Sequence, residues 1–174
     1  DDTEFALLTA QTLIKCKGQL KTQDVVTAWQ ENVVTLDELK RGGASETEAA
    51  MNIRRGIMPP ESGKFNSYSC SDGAAMRCGP IGIACAGDPD RAARLAEVDA
   101  SISHFRDGIW GAQAVAVAVS MAMADAGIEE ILDRVLKTVP EDSWFHATLE
   151  RAFTIIEGPH CDIALAWMPL HYEL

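Results

Sequence analysis

Apolar residues recur three and four apart along most of this chain and almost nowhere alternate with polar ones. Phe5, Leu8, Leu13 and Ile14 predict a first helix ending near Gly18, with Lys15 and Lys17 well placed for the negative end of its dipole. Val25, Val26, Trp29 and Val33 predict a second. Ser45-Glu46-Thr47-Glu48 has the spacing of a capping box, with Ser45 as N-cap, opening a helix that runs to about Arg55. Gly56 to Cys70, with Pro59-Pro60, Gly63 and several serines, reads as a loop whose length suggests a function. Further helices are expected over 73–86, over 89–103 with Asp88 as cap and Pro89 in the first turn, over 108–126, over 128–138, and over 143–157 capped by Asp142 or Ser143. No stretch has the period of a strand. The reading is all-α: a compact multi-helix bundle forming a single helical domain over 1–174, with no internal repeat and no linker.

Charge narrows the partners. The 174 residues include 26 acidic and 15 basic side chains, a formal net charge of −11. Phosphate backbones are repelled by such a surface, so no nucleic-acid binding is expected, although one local pocket can still hold a small anion. Cys16, Cys70, Cys78, Cys85 and Cys161 form no CxxC pair and are odd in number, which argues for a reducing cytoplasm; Cys78 and Cys85 read as small core residues. The uncharged run 109–124 is shorter than the roughly 20 residues of a membrane span, and it is rich in Ala and Val. It reads as a fully buried helix at the centre of the bundle, with no membrane association.

Three constellations could carry chemistry. Asp1-Asp2 places adjacent carboxylates at a helix start, where they serve either as dipole-favoured end residues or as ligands of a hard cation. In Ser71-Asp72-Gly73 a glycine able to take positive φ precedes outward-pointing amides, which makes either an ordinary N-cap or an anion nest suited to a diphosphate. Arg77, one turn on, faces either that nest or an acidic neighbour. His104, after Ser101-Ile102-Ser103, either compensates a helix C-terminus or contacts a ligand. His146, His160 and His171 read as structural or surface residues. Trp29, Trp110, Trp144 and Trp167 read as core or interface aromatics, Trp110 being the one that could approach a pocket.

Taken together, these residues resemble the ADP-ribosylglycohydrolase family, which includes dinitrogenase-reductase-activating glycohydrolases and J1-type crystallins. Asp1-Asp2-Thr3 is similar to the family's Thr-Asp-Asp-Thr apart from the first Thr, and Gly42-Gly43-Ala44-Ser45-Glu46-Thr47 to its Gly-Gly-x-Ser-Glu-Thr segment. Ser71 to Gly82 is similar to its Gly/Ser-Asn/Asp-Gly-x-x-Met-Arg-x-x-Pro-x-Gly loop, and Ser101 to His104 to the Ser-x-Thr/Ser-His segment before a long Ala-rich helix. The resemblance covers roughly residues 1–157. It implies an all-α fold and a two-metal site, with Mg²⁺ or Mn²⁺, that hydrolyses the glycosidic bond between ADP-ribose and an acceptor.

By the same resemblance, Asp1 and Asp2 would be catalytic metal ligands. Ser71, Asp72, Gly73, Ala75, Met76 and Arg77 would cradle the diphosphate and ribose, and Ser103 and His104 would line the pocket. The substrate would be an ADP-ribosylated protein or a small ADP-ribose conjugate. No match to the family's C-terminal Asp-x-Asp-Thr follows Ile156, and Asp162 stands alone, so the domain reads as incomplete at both ends. The alternative is a non-catalytic relative that keeps an ADP-ribose-like pocket or serves as a structural protein. A third reading is a partner-binding helical module anchored by its tryptophans.

Overall fold

The computed structural model describes residues 2–36, 42–157 and 163–174. Among them are ten α-helices and no strand: α1 (Asp2–Lys15), α2 (Thr22–Trp29), α3 (Ala44–Arg54), α4 (Glu61–Lys64), α5 (Gly79–Ala84), α6 (Pro89–Ala100), α7 (Asp107–Ala122), α8 (Ile128–Thr138), α9 (Trp144–Glu157) and α10 (Ile163–Glu173). A π-helical turn, Gln30–Val34, extends α2, and a 3₁₀ turn, Ala75–Arg77, precedes α5. The expected all-α fold is the observed one. No helix among the described residues is long and apolar enough to cross a membrane.

Helix α7 is the hub, packing against α5, α6, α8 and α9. Its small residues permit this: Ala112, Ala116 and Ser120 are buried, and the Ser120 hydroxyl donates to the Cys85 carbonyl. It is not buried all round, because Val115 is 38% exposed. It also ends at Ala122, short of the expected 126. Asp125 turns left-handed (φ 57°) and the Ala126 amide donates back to Met121, closing the helix in a way that no break in the apolar pattern signals.

Helix α1 ends near Gly18 as its pattern implies. Lys17 (φ 53°) takes the left-handed position, and the Gly18 amide reaches the Leu13 carbonyl. Its inner face differs from the expected one. Ile14 is 76% exposed, while Thr9 and Thr12 are buried with Phe5 and Leu13. The threonines are accommodated because their hydroxyls are satisfied, Thr12 by the Leu8 carbonyl and Thr9 by Asp99. Val25, Val26, Trp29 and Val33 are all buried, with the Trp29 ring 5.5 Å from that of Phe5.

Three further expectations are corrected. The capping box at Ser45 does not form: Gly43 is the N-cap, and Glu48 accepts instead from the Ser67 amide and hydroxyl. The helix expected over 73–86 is broken, because Pro80 lacks an amide proton and disfavours helical backbone at Gly79. The chain makes the 3₁₀ turn and restarts at Gly79 with Pro80 in the first turn. The 56–70 loop contains the short α4, and α10, packed on α9, was not expected. Helix α8 has its expected bounds, and α6 starts at Pro89 with Asp88 accepting from the Arg91 amide but ends at Ala100, short of the expected 103. Ser143, not Asp142, caps α9 by accepting from the His146 amide.

Candidate functional site

Four separated segments converge beneath the turn at Ser71–Gly73. The loop before that turn is fastened to the segment after α6. Ser62 Oγ donates to the Ile102 carbonyl at 2.7 Å, and the Phe105 amide donates to the Ser69 carbonyl at 3.1 Å. Ser71 Oγ lies 3.0 Å from His104 Nε2. Gly108 makes the closure possible: a Cβ there would lie 2.3 Å from the Ser69 carbonyl oxygen and 2.7 Å from the His104 ring.

Arg77 is the centre of the cluster and is completely buried. Its Nε donates to Asp99 Oδ1 at 2.6 Å. One terminal nitrogen donates to Glu46 Oε1 (3.4 Å) and the Gly73 carbonyl (3.2 Å), the other to the Asp99 carbonyl (3.2 Å) and Ser103 Oγ (2.9 Å). All five guanidinium protons are therefore used within the protein. The Trp29 ring covers the guanidinium at 5.2 Å. Burial is the largest single influence and pulls the Arg77 pKa down, but the charge and hydrogen bond of Asp99, with the charges of Cys78 and Glu46, together outweigh it; the net shift is upward, so the group stays cationic. Of the two roles open to Arg77, facing a nest or facing an acidic neighbour, the structure selects the second.

The hydrogen bonds close into a ring. Ser71 Oγ donates to Ser45 Oγ (3.1 Å), and Ser45 Oγ donates to Glu46 Oε2 (2.9 Å). Arg77 joins Glu46 to Ser103, and Ser103 Oγ lies 2.7 Å from His104 Nδ1. His104, fully buried, completes the circuit back to Ser71. Burial, and after it the Arg77 charge, push the His104 imidazole down to about 3, so it is neutral here. A charged His104 compensating a helix end is thus not what the structure contains.

A sequence profile of the ADP-ribosylglycohydrolase family matches residues 1–169. The chain belongs to the ADP-ribosylglycohydrolase family. It is also similar to an uncharacterized protein of Archaeoglobus fulgidus, 40% identical over 101 residues, which is 58% of this chain and 32% of that protein. The chain thus spans about a third of that relative's length. No solved structure matches it.

Within the chain the expected site residues fall into three groups. Ser71, Gly73, Arg77, Ser103 and His104 are gathered in and around the ring. Arg77, Ser103 and His104 lie behind Ser71, each with no exposed surface. Asp72 is exposed, and Ala75 and Met76 are half-buried in the 3₁₀ turn, where Met76 packs on the core. Asp2 is exposed in the first turn of α1, and Asp1 lies outside the described residues, as do Asp162 and His160.

Gly73 is not left-handed, contrary to the positive φ that an anion nest would use. What it supplies is room, since a Cβ would lie 2.3 Å from Glu46 Oε1. The amides of Asp72, Gly73 and Ala74 take part in none of the backbone hydrogen bonds among the described residues. Trp110 is half-buried under Arg106, while Trp144 and Trp167 are exposed.

Sequence reasoning missed Ser45, Glu46 and Asp99 as partners within the cluster. Asp99 carried a signal: an acidic residue in a helix's last turn opposes the dipole and calls for a compensating cation. Among the described residues, no three His, Cys, Asp or Glu side chains come together in a way that could hold a metal ion. Glu46 and Asp99 are already committed to Arg77. The described donors therefore do not by themselves fit the two-metal centre that the family implies.

Proposed function

We propose that this chain is part of a glycohydrolase that cleaves the bond between ADP-ribose and an acceptor, either an ADP-ribosylated protein or a small ADP-ribose conjugate. The observation that carries the reading is the family match over residues 1–169, together with the convergence of the family-like segments at 42–47, 71–82 and 101–104 on one polar ring. In this reading the Ser71–Gly73 turn is the ligand-facing surface. The unengaged amide of the exposed Asp72 supplies a donor to the diphosphate, and Arg77, Ser103 and His104 hold the turn from behind. The rigid backing keeps the turn in its binding conformation before the ligand arrives, which lowers the ordering cost of binding.

We also propose Mg²⁺ or Mn²⁺ as the cofactor, with Asp1 and Asp2 among ligands that must extend beyond the described residues. A cytoplasmic setting agrees with free Cys16, Cys70, Cys78 and Cys85. Titration of ADP-ribose by calorimetry, with Mg²⁺, with Mn²⁺ and with chelator, tests the reading. Release of ADP-ribose from modified arginine and serine peptides should be followed in parallel. Binding with metal-dependent release is the expected result. Binding without release under any metal would favour the non-catalytic alternative, and no binding in any condition would overturn both.

A further inference from the structure

The buried ring around Ser71 has a single arrangement of protons that satisfies every member. Glu46 is ion-paired to Arg77 and has only acceptors, so the Ser45 hydroxyl must donate to it. The one proton of Ser71 then goes to Ser45. Ser71 must therefore receive from His104, which places the ring proton on Nε2. Nδ1 is left as an acceptor and takes the Ser103 proton, while Ser103 receives from Arg77. The opposite histidine tautomer leaves the buried Ser103 proton without an acceptor and leaves no proton between Ser71 and Ser45. A buried donor left unmade is costly, and no buried side-chain polar atom among the described residues lacks a partner.

Resting on the reading that the Ser71–Gly73 turn faces ADP-ribose, we infer that Ser71 meets the ligand only as an acceptor, taking a hydrogen bond from a sugar hydroxyl and giving none to a phosphate oxygen. Its proton is committed to Ser45 and one lone pair to His104, which leaves one lone pair on a half-buried side chain. A phosphate oxygen, itself an acceptor, is repelled there. The phosphates fall instead to the exposed end of the turn at Asp72, whose amide is a donor by nature and makes no backbone hydrogen bond. The ring thus divides the turn into a sugar end and a phosphate end, and Glu46, three hydrogen bonds from His104 along this path, sets the direction.

Two measurements test this. The first needs no ligand: ¹H–¹⁵N correlation of the histidine rings, with the His104 signals identified by their loss in His104→Gln. A neutral ring protonated at Nε2 is expected, and a proton on Nδ1 overturns the inference. The second measures binding of ADP-ribose, ribose 5-phosphate and inorganic pyrophosphate to the wild type, Ser71→Ala and Ser45→Ala. Ser71→Ala should weaken ADP-ribose and ribose 5-phosphate about 3–10-fold, the worth of one hydrogen bond, and leave pyrophosphate unchanged.

Ser45→Ala frees the Ser71 proton and should strengthen pyrophosphate binding. Equal weakening of pyrophosphate by Ser71→Ala overturns the inference, as does weakening of ADP-ribose alone, which would point to the adenine amine as the donor. Failure of the wild type to bind ADP-ribose, with the Nε2–H signal present, would remove the ADP-ribose reading while the proton order of the ring stands.

Discussion

Arg77 Nε and Asp99 Oδ1 meet at 2.6 Å inside the bundle, both side chains withdrawn from water. The contact joins the 3₁₀ turn behind the Ser71–Gly73 loop to the last turn of α6, and Thr9 of α1 adds a hydroxyl to the other Asp99 oxygen. Three segments distant in sequence are therefore tied at one carboxylate.

Removing one member of such a pair leaves a buried charge short of its partner, which costs about 3–5 kcal/mol. Asp99→Asn should fall toward the lower end, because Arg77 keeps Glu46 at 3.4 Å. Glu46→Gln should cost less than Asp99→Asn, since its contact is longer and the amide oxygen can still accept from Ser45. Urea denaturation of the two variants checks the order, and a Glu46→Gln variant less stable than Asp99→Asn would contradict it.

The His104 imidazole, held at about 3 in the fold, titrates near 6.5 in an unfolded chain. Between those values the unfolded state carries a proton that the folded state lacks, so stability rises with pH across the window at about 1.4 kcal/mol per unit. The contribution is complete above the unfolded value and is lost as pH falls toward the folded one. Going from about pH 6 to about pH 4 should therefore cost the wild type about 2–3 kcal/mol that His104→Gln does not lose. Urea midpoints at both pH values decide this, and identical losses in the two proteins would refute it.

The helices were legible where apolar period and end signals agree, and the cluster was legible only in part. Gly127 before Ile128 and Asp88 before Pro89 fix the starts of α8 and α6, and the period carries each forward. Ser45 misled because its hydroxyl serves the distant Ser71 rather than its own helix start, and local spacing cannot show a partner 26 residues away. The apolar run through 73–86 reads as one helix, whereas Pro80, lacking an amide proton, sets a new helix start at Gly79. Ser71, Arg77, Ser103 and His104 stood out singly. That they share one proton-ordered ring depends on Glu46 and Asp99, whose burial follows only from packing.

Arg106 occupies φ 49°, ψ −116°, a conformation that suits glycine, at the entrance to α7 two residues after His104. The guanidinium rests over Trp110 at 5.6 Å, so a substitution both changes the backbone cost and removes this stack. Comparing Arg106→Gly with Arg106→Ala separates the effects, since both lose the stack and only glycine relieves the backbone. Arg106→Gly should be the more stable of the two by about 1–2 kcal/mol. Equal melting temperatures would mean that the backbone at 106 carries no strain.

Gly108 sits where the Ser69 carbonyl and the His104 ring leave no space for a methyl group. Gly73 is crowded as well, but by the Glu46 carboxylate and the Ser45 hydroxyl, which are side-chain atoms. The two positions should therefore respond differently to alanine. At Gly108 the obstacle is backbone, so the loop must move away from α7. That loosens the Phe105 amide to Ser69 contact and should cost about 1–3 kcal/mol or more. At Gly73 the Glu46 carboxylate can retreat, but only by giving up Arg77 or Ser45. Gly73→Ala should accordingly disturb the ring while leaving the fastening at Ser69 intact. Amide exchange distinguishes the cases: faster exchange at Phe105 is expected in Gly108→Ala and not in Gly73→Ala. Accelerated exchange at Phe105 in both variants would mean that the ring and the loop fastening are one cooperative unit.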